Sequence, residues 1–143
     1  FIIKDIVLIS KVIDGKFPDY EKVIPSDTRK EVLANVADFI SAVDRIKSLS
    51  ADRKGVIKIN IENNKIRFFI NDTSSGEGIE EISAVYEGDN LEIGFNSGYL
   101  MDIANCIQDV NITLKPKDAT SPIIIKDQKD PDSTYVVMPM RVV

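Results

Sequence analysis

The chain has 143 residues, of which 43% are hydrophobic and 29% charged, which places it in the globular class and excludes a disordered or low-complexity polymer. Formal net charge is −5, from 18 Lys and Arg against 23 Asp and Glu, so adhesion of the whole surface to nucleic acid is excluded and any DNA contact has to be local and weak. Histidine is absent and Cys106 is the single cysteine, which removes Ser-His, Cys-His and His-metal arrangements and any internal disulfide, and suits a reducing, cytoplasmic compartment.

In chain order, Phe1 to Ile13 clusters Ile, Val and Leu around the turn-like Lys4-Asp5, and reads as the end of one strand followed by another. The same two charges keep this run well short of the about 18 apolar residues of a membrane span. The first residue is Phe1 rather than methionine, so a piece of a longer protein is expected. Asp14-Gly15 signals a turn, and Phe17 precedes Pro18, which disfavours helix there and marks a junction between domains.

Thr28 and Glu31 stand at capping-box spacing, and Val32, Val36, Ile40 and Val43 share a helical face flanked by Leu33 and Phe39, which predicts a helix from Arg29 to Leu49. Its other side carries Arg29, Lys30, Asp38, Arg45 and Lys47, a mixed-charge face that solvation alone explains. Three strands follow, Val56 to Glu62, Lys65 to Ile70 and Ile79 to Tyr86, with Asn63-Asn64 as a tight hairpin. A strand from Leu91 to Phe95 leads into a helix from Ser97 to Ile107, capped by Asn96 or Ser97. Cys106 on it reads as a small buried side chain. Val110 to Leu114, Ile123 to Ile125 and Tyr135 to Arg141 complete the strands. From Asp19 onward, strand, helix and three strands, twice over, predict an α+β domain of two similar sheets backed by two neighbouring helices.

The closing stretch admits two readings. Alternation puts Val136, Met138, Met140 and Val142 on one side and Tyr135, Val137, Pro139 and Arg141 on the other, and Pro139 has no N–H for a sheet ladder. A last strand that closes the core has this pattern. So has an adaptable docking trough for short peptides, since methionine re-packs around varied side chains and Arg141 can hold a polar group at the rim. No glycine-rich phosphate loop or zinc-binding cysteine pair is present, so an enzyme would need an Asp/Glu site without a sequence motif.

Three segments, YVVMPMR from Tyr135, IDGKFPDYEKVIP from Ile13 and EIGFNSGYLMDI from Glu92, resemble the C-terminal part of the bacterial DNA polymerase beta sliding clamp, in order and at familiar spacing. The resemblance implies that 1–18 are the last strands of a preceding (middle) clamp domain with its linker and that 19–143 are the C-terminal clamp domain, helices on the inner face and sheets outside. It implies a non-enzymatic processivity factor without cofactor or metal: a homodimeric ring that encircles double-stranded DNA, tethers the replicative polymerase, and takes clamp loader and repair proteins by a short Gln-x-x-Leu/Phe-type motif. Carried over residue by residue, the peptide groove comprises Pro18, Lys22, Val23, Asn96, Tyr99, Thr120, Pro122, Val136, Val137, Met138, Pro139, Met140 and Arg141, with Arg53 a further candidate. Thr120 and Pro122 depart from the more typical rim, and Val143 extends the usual end. Arg29, Arg45 and Lys47 would face DNA loosely, and Ser48, Leu49, Glu77, Glu80 and Glu81 would meet the next subunit. A free-standing peptide-binding adaptor that never closes a ring is the alternative.

Overall fold

A computed structural model of the chain describes residues 1–28, 30–49, 55–72 and 76–141. At the start, β1 (Ile2–Ile3) and β2 (Ile6–Val7) form a small antiparallel hairpin over Lys4, which takes a positive φ of 51°. Its apolar side chains, with Leu8, Ile9, Val12, Ile13 and Phe17, are exposed. A 3-10 turn at Tyr20–Val23 follows.

The remaining elements are β3 (Val32–Asn35), α1 (Val36–Ser48), β4 (Val56–Glu62), β5 (Lys65–Asp72), β6 (Gly76–Val85), β7 (Leu91–Asn96), α2 (Ser97–Ala104), β8 (Asn111–Lys115), β9 (Ile123–Lys126) and β10 (Tyr135–Val137). Strand, helix and three strands recur, but the first strand of the first repeat is β3 and not the stretch from Asp19, which holds only the 3-10 turn at Tyr20–Val23. Among the described residues eight strands form one antiparallel sheet in the order β10-β9-β8-β3-β6-β5-β4-β7. Its middle is thin: β3 and β6 meet through Leu33↔Val85 and Ala34↔Ala84, so the sheet divides into two four-stranded halves. Each repeat lends its first strand to the other's sheet, β3 pairing with β8 and β7 with β4.

Period-two alternation decides the faces. Ile57, Ile59 and Ile61 of β4 and Ile66, Phe68 and Ile70 of β5 turn into the core, while Lys58, Asn60, Lys65 and Arg67 turn out. Against this face α1 lays Phe39, Ala42, Val43 and Ile46, spaced three and four apart. Phe39 and Phe68 meet edge to face with ring centroids 5.4 Å apart. The Asn63-Asn64 hairpin forms as expected, Asn64 adopting φ 59°.

The first helix differs from its predicted span. Residues 32–35 are strand rather than helix, because Val32 and Ala34 bury on one side while the backbone pairs with β6 and β8. Val32 and Val36 fit a helical spacing and Val32 and Ala34 fit a strand, so the local pattern is degenerate there. The working cap is Asn35, whose Oδ1 accepts from the N–H groups of Ala37 and Asp38 at 2.9 and 3.1 Å, in place of a Thr28/Glu31 box. The predicted start at Arg29 lies outside the described residues. The second helix stops at Ala104, and Cys106 is exposed rather than buried, its Sγ donating to the Asp102 carbonyl at 3.2 Å.

Thr113, on the outer side of β8, is buried, and its Oγ1 has no hydrogen-bond partner among the described residues. Thr113→Val keeps the shape and removes an unpaired polar atom, so it is expected to stabilise the chain by about 1 kcal/mol, read as a rise of about 3 °C in Tm. A fall in Tm would mean that the hydroxyl has a partner.

Candidate functional site

The site lies where the two halves of the sheet meet a second time. Within the repeat, Asn35 at the end of β3 corresponds to Asn96 at the end of β7, and each caps the helix that follows: Asn96 Oδ1 accepts from Gly98 and Tyr99 at 2.8 and 3.3 Å. The counterpart of the β3-β6 joint is therefore β7 with the segment that follows β10. After Val137 the chain leaves β9, and the Met140 N–H donates to the Gly94 carbonyl at 2.8 Å, a lone antiparallel bridge. In the first joint the next pair is Ala34↔Ala84. In the second, Pro139 stands in place of Ala84 and has no N–H, so among the described residues the joint is one bridge. Gly94 stands in place of Leu33 and leaves room above the bridge.

A cleft of about 580 Å³ occupies that room, lined by Glu92, Gly94, Ala119, Thr120, Pro139, Met140 and Arg141. It brings together four of the predicted groove residues, Thr120, Pro139, Met140 and Arg141. Met138 beside it is 60% exposed, and Tyr99 on α2 is 62% exposed. Val136 is half-buried opposite Ile124, and Pro122 is half-buried at the entry to β9. Val137 departs from the expected trough: it is 3% exposed and belongs to the core, because alternation from Val136 turns it inward. Pro18, Lys22 and Val23 are exposed, Lys22 paired with Asp19 at 3.1 Å, and none of them lines this cleft. Arg53 lies outside the described residues.

Three lining residues were missed from the sequence, Glu92, Gly94 and Ala119. Gly94 had a signal: a glycine between Ile93 and Phe95 in a strand marks a close backbone approach. Glu92 pairs with Lys58 at 3.1 Å and, with Arg141, also borders a neighbouring cleft on the outer face of β4 to β6, beside Lys58, Phe69 and Ile79.

The rim at Thr120 is built by Asp118. Its carboxylate accepts from the Ser121 hydroxyl (2.7 Å), the Thr120 N–H (2.8 Å), the Thr120 hydroxyl (2.9 Å) and the Ser121 N–H (2.7 Å). These donors, the Ser121 hydroxyl foremost, hold Asp118 far below the usual carboxylate range. Asp127 is anchored in a similar way at the far end of β9, accepting from the N–H groups of Gln108 and Lys129 at 2.7 and 2.9 Å, and the Gln108 bond leads in lowering its pKa.

The predicted charged faces meet each other. Arg45, expected to face DNA, donates twice to Glu80, expected at a subunit interface, at 2.9 and 2.8 Å. That hydrogen bonding keeps the Glu80 carboxyl ionised below its ordinary range, and Arg67, at 2.7 Å, does the same for Glu81. Both carboxylates are thus neutralised within the chain, while Glu77 and Lys47 are exposed and make no ion pair among the described residues. Ser48 donates to the Arg45 carbonyl at 2.6 Å, and Leu49, 40% exposed, caps α1. Arg29 lies outside the described residues. Among those described, no group of three or more Asp, Glu or Cys side chains could hold a metal ion, and no helix is long and apolar enough to cross a membrane.

The family model for the DNA polymerase III beta subunit, C-terminal domain, matches residues 21–141. The beta sliding clamp of Caulobacter vibrioides is 38% identical over 135 residues, covering 94% of this chain and 36% of that protein. That of Pseudomonas putida is 37% identical over 132 residues, covering 92% and 36%. A crystal structure of a DnaN sliding clamp from Bartonella birtlesii bound to griselimycin superposes with a TM-score of 0.88 at 40% identity, over 93% of this chain and 36% of that one. The chain thus spans about a third of the length of these relatives.

Proposed function

The chain belongs to the DNA polymerase III beta subunit family, by its C-terminal domain, and from that premise we propose that it is part of a non-enzymatic replication processivity factor, a homodimeric cytoplasmic ring around double-stranded DNA. In this reading 19–143 are the C-terminal clamp domain. Residues 1–18 are the last strands of the preceding domain with its linker, which gives the exposed apolar side chains of the first hairpin a core to join. The ring holds the replicative polymerase at the primer end by topology, so DNA need not be gripped, in keeping with the net charge of −5. Arg29 and Lys47 then supply loose phosphate contact, while Leu49, Ser48 and Glu77 meet the next subunit. Glu80 and Glu81 can join that contact, already bonded to Arg45 and Arg67.

The cleft at the Gly94-Met140 bridge is the observation that carries the partner-binding half of the proposal. A lining of Gly94, Ala119, Pro139 and Met140 with Glu92, Thr120 and Arg141 as its polar groups suits a short peptide with apolar side chains, and the polymerase, clamp loader and repair proteins would compete for it. That a related clamp has been crystallised with griselimycin supports a ligand-accepting surface in this family. Arg141 in its lining, with the exposed Met138 and Tyr99 outside it, would be the anchors. The rival reading, an adaptor that never forms a ring, has no separate feature in its favour.

A Gln-x-x-Leu/Phe-type peptide titrated against the chain is expected to bind saturably, and Met138→Ala combined with Tyr99→Ala to weaken it by about thirtyfold or more, the usual loss when side chains that a bound partner covers are truncated. Equal affinity in the parent and the double variant would remove the assignment.

A further inference from the structure

We propose that Asp118 is a positioning residue for the cleft: by fixing the turn 118–121 it holds Ala119 and Thr120 as a preformed wall facing Pro139 and Met140. The inference rests on the peptide-docking reading above and adds a residue that touches no ligand.

The argument starts from the two loops that the repeat makes equivalent. Between β4 and β5 the connection is the two residues Asn63 and Asn64, and Asn64 is tied to the adjoining joint by backbone alone: its N–H donates to the Tyr86 carbonyl at 3.3 Å, and its carbonyl accepts from Ala84 at 3.1 Å. That loop is short and is held along the β6 side of its joint. Between β8 and β9 the connection is longer, running from Pro116 to Pro122, and it stands at the joint where the cleft is open. A longer loop has more conformations, and ordering it on ligand binding would subtract from affinity.

Asp118 removes that cost in advance. One carboxylate gathers two backbone N–H groups and two hydroxyls from consecutive residues, all at 2.7 to 2.9 Å, so Thr120 is held by its main chain and its side chain together. Charge-assisted bonds of this kind are about twice as strong as neutral ones. Ionisation persists well below neutral pH because the same donors favour the charged form. Thr120 cannot then swing its hydroxyl toward a ligand: Asp118 already occupies it. The wall offers a peptide its methyl group and the Ala119 methyl, which makes this side of the cleft apolar.

The test is fluorescence anisotropy with a labelled Gln-x-x-Leu/Phe-type peptide and the 143-residue chain, beside a thermal melt of each variant. Asp118→Ala is expected to weaken binding about tenfold. Asp118→Asn, whose amide oxygen can still accept the two N–H bonds, is expected to recover most of that loss. Asp127→Ala removes a comparable anchor from a turn that does not line the cleft, and is expected to lower Tm while leaving affinity unchanged. Should Asp118→Ala fail to fold, Ser121→Ala removes one of the four bonds and is expected to weaken binding about threefold. Affinity unchanged in Asp118→Ala, or in Ser121→Ala where that variant is read, overturns the positioning role while the Met138 and Tyr99 variant still tests the groove. An equal loss in Asp127→Ala overturns it too, by making the effect one of general stability. If the parent chain itself does not bind the peptide, the docking reading fails, and this inference with it.

Discussion

Phe68→Ala is expected to destabilise the chain by about 4 kcal/mol, the cost of emptying an aromatic site in a packed core. Phe68 is fully buried on β5, its ring against the edge of Phe39 from α1, so the space left lies between sheet and helix where neither backbone can collapse. A domain of this size has about 5–15 kcal/mol to lose, so the variant will sit close to unfolding at room temperature. Phe69→Ala is the internal control: the next residue points to the outer face and is half-buried, and its loss is expected to cost about 1 kcal/mol. Urea unfolding of both variants, with the m-value unchanged, is the measurement. Equal losses would mean that the face assignment of β5 is wrong.

Gly55→Val is expected to cost about 3 kcal/mol, from two sources that can be separated. Gly55 has a φ of +53°, a region that costs a side-chain-bearing residue about 1–2 kcal/mol and a β-branched one more. A Cβ built on it would stand 2.6 Å from the Oγ of Ser97, which is buried at the first position of α2 and donates its N–H to the Gly55 carbonyl at 2.8 Å. The contact thus pushes on the turn that also holds the Asn96 cap and Tyr99. In a Ser97→Ala background the steric part is relieved and the backbone part remains, so Gly55→Ala is expected to cost less there than in the parent chain. If the two backgrounds agree, the close approach is not what constrains the position. Peptide affinity measured on Gly55→Ala tells whether the placement of α2 matters to the cleft.

The functional proposal turns on a difference between two otherwise similar joints. At β3-β6, side chains close the seam, with Leu33 opposite Val85, and the short loop at Asn64 is bonded to Ala84 and Tyr86 along its β6 side. At β7 and the tail, a glycine, a proline and a longer loop leave the seam open. A groove made this way costs little stability, because the core beneath it is complete: Val137, Phe95 and Leu100 are all buried. What stands open above is Met138, Met140 and Arg141, whose side chains can adapt to different visitors.

The order of elements was legible in the residues. Period-two alternation in β4 and β5, the Asn63-Asn64 hairpin, the Asn96 cap and the proline that ends the last strand are local signals, and each acts through neighbours in sequence. For the same reason the tail was marked as a soft, apolar edge with Met138 and Met140 on one side. Local signals failed at Val32 to Asn35, where helical and strand spacing coincide and only pairing with β6 and β8 selects the strand. They failed again for the charges, since Arg45 and Glu80 are far apart in the chain and their bond is made by packing α1 on β6. The exchange of first strands between the repeats, and the Met140-Gly94 contact that makes the cleft, belong to tertiary structure alone: residues 46 positions apart carry no local trace of each other, and backbone hydrogen bonds between them exist only once the core has brought both ends of the sheet together.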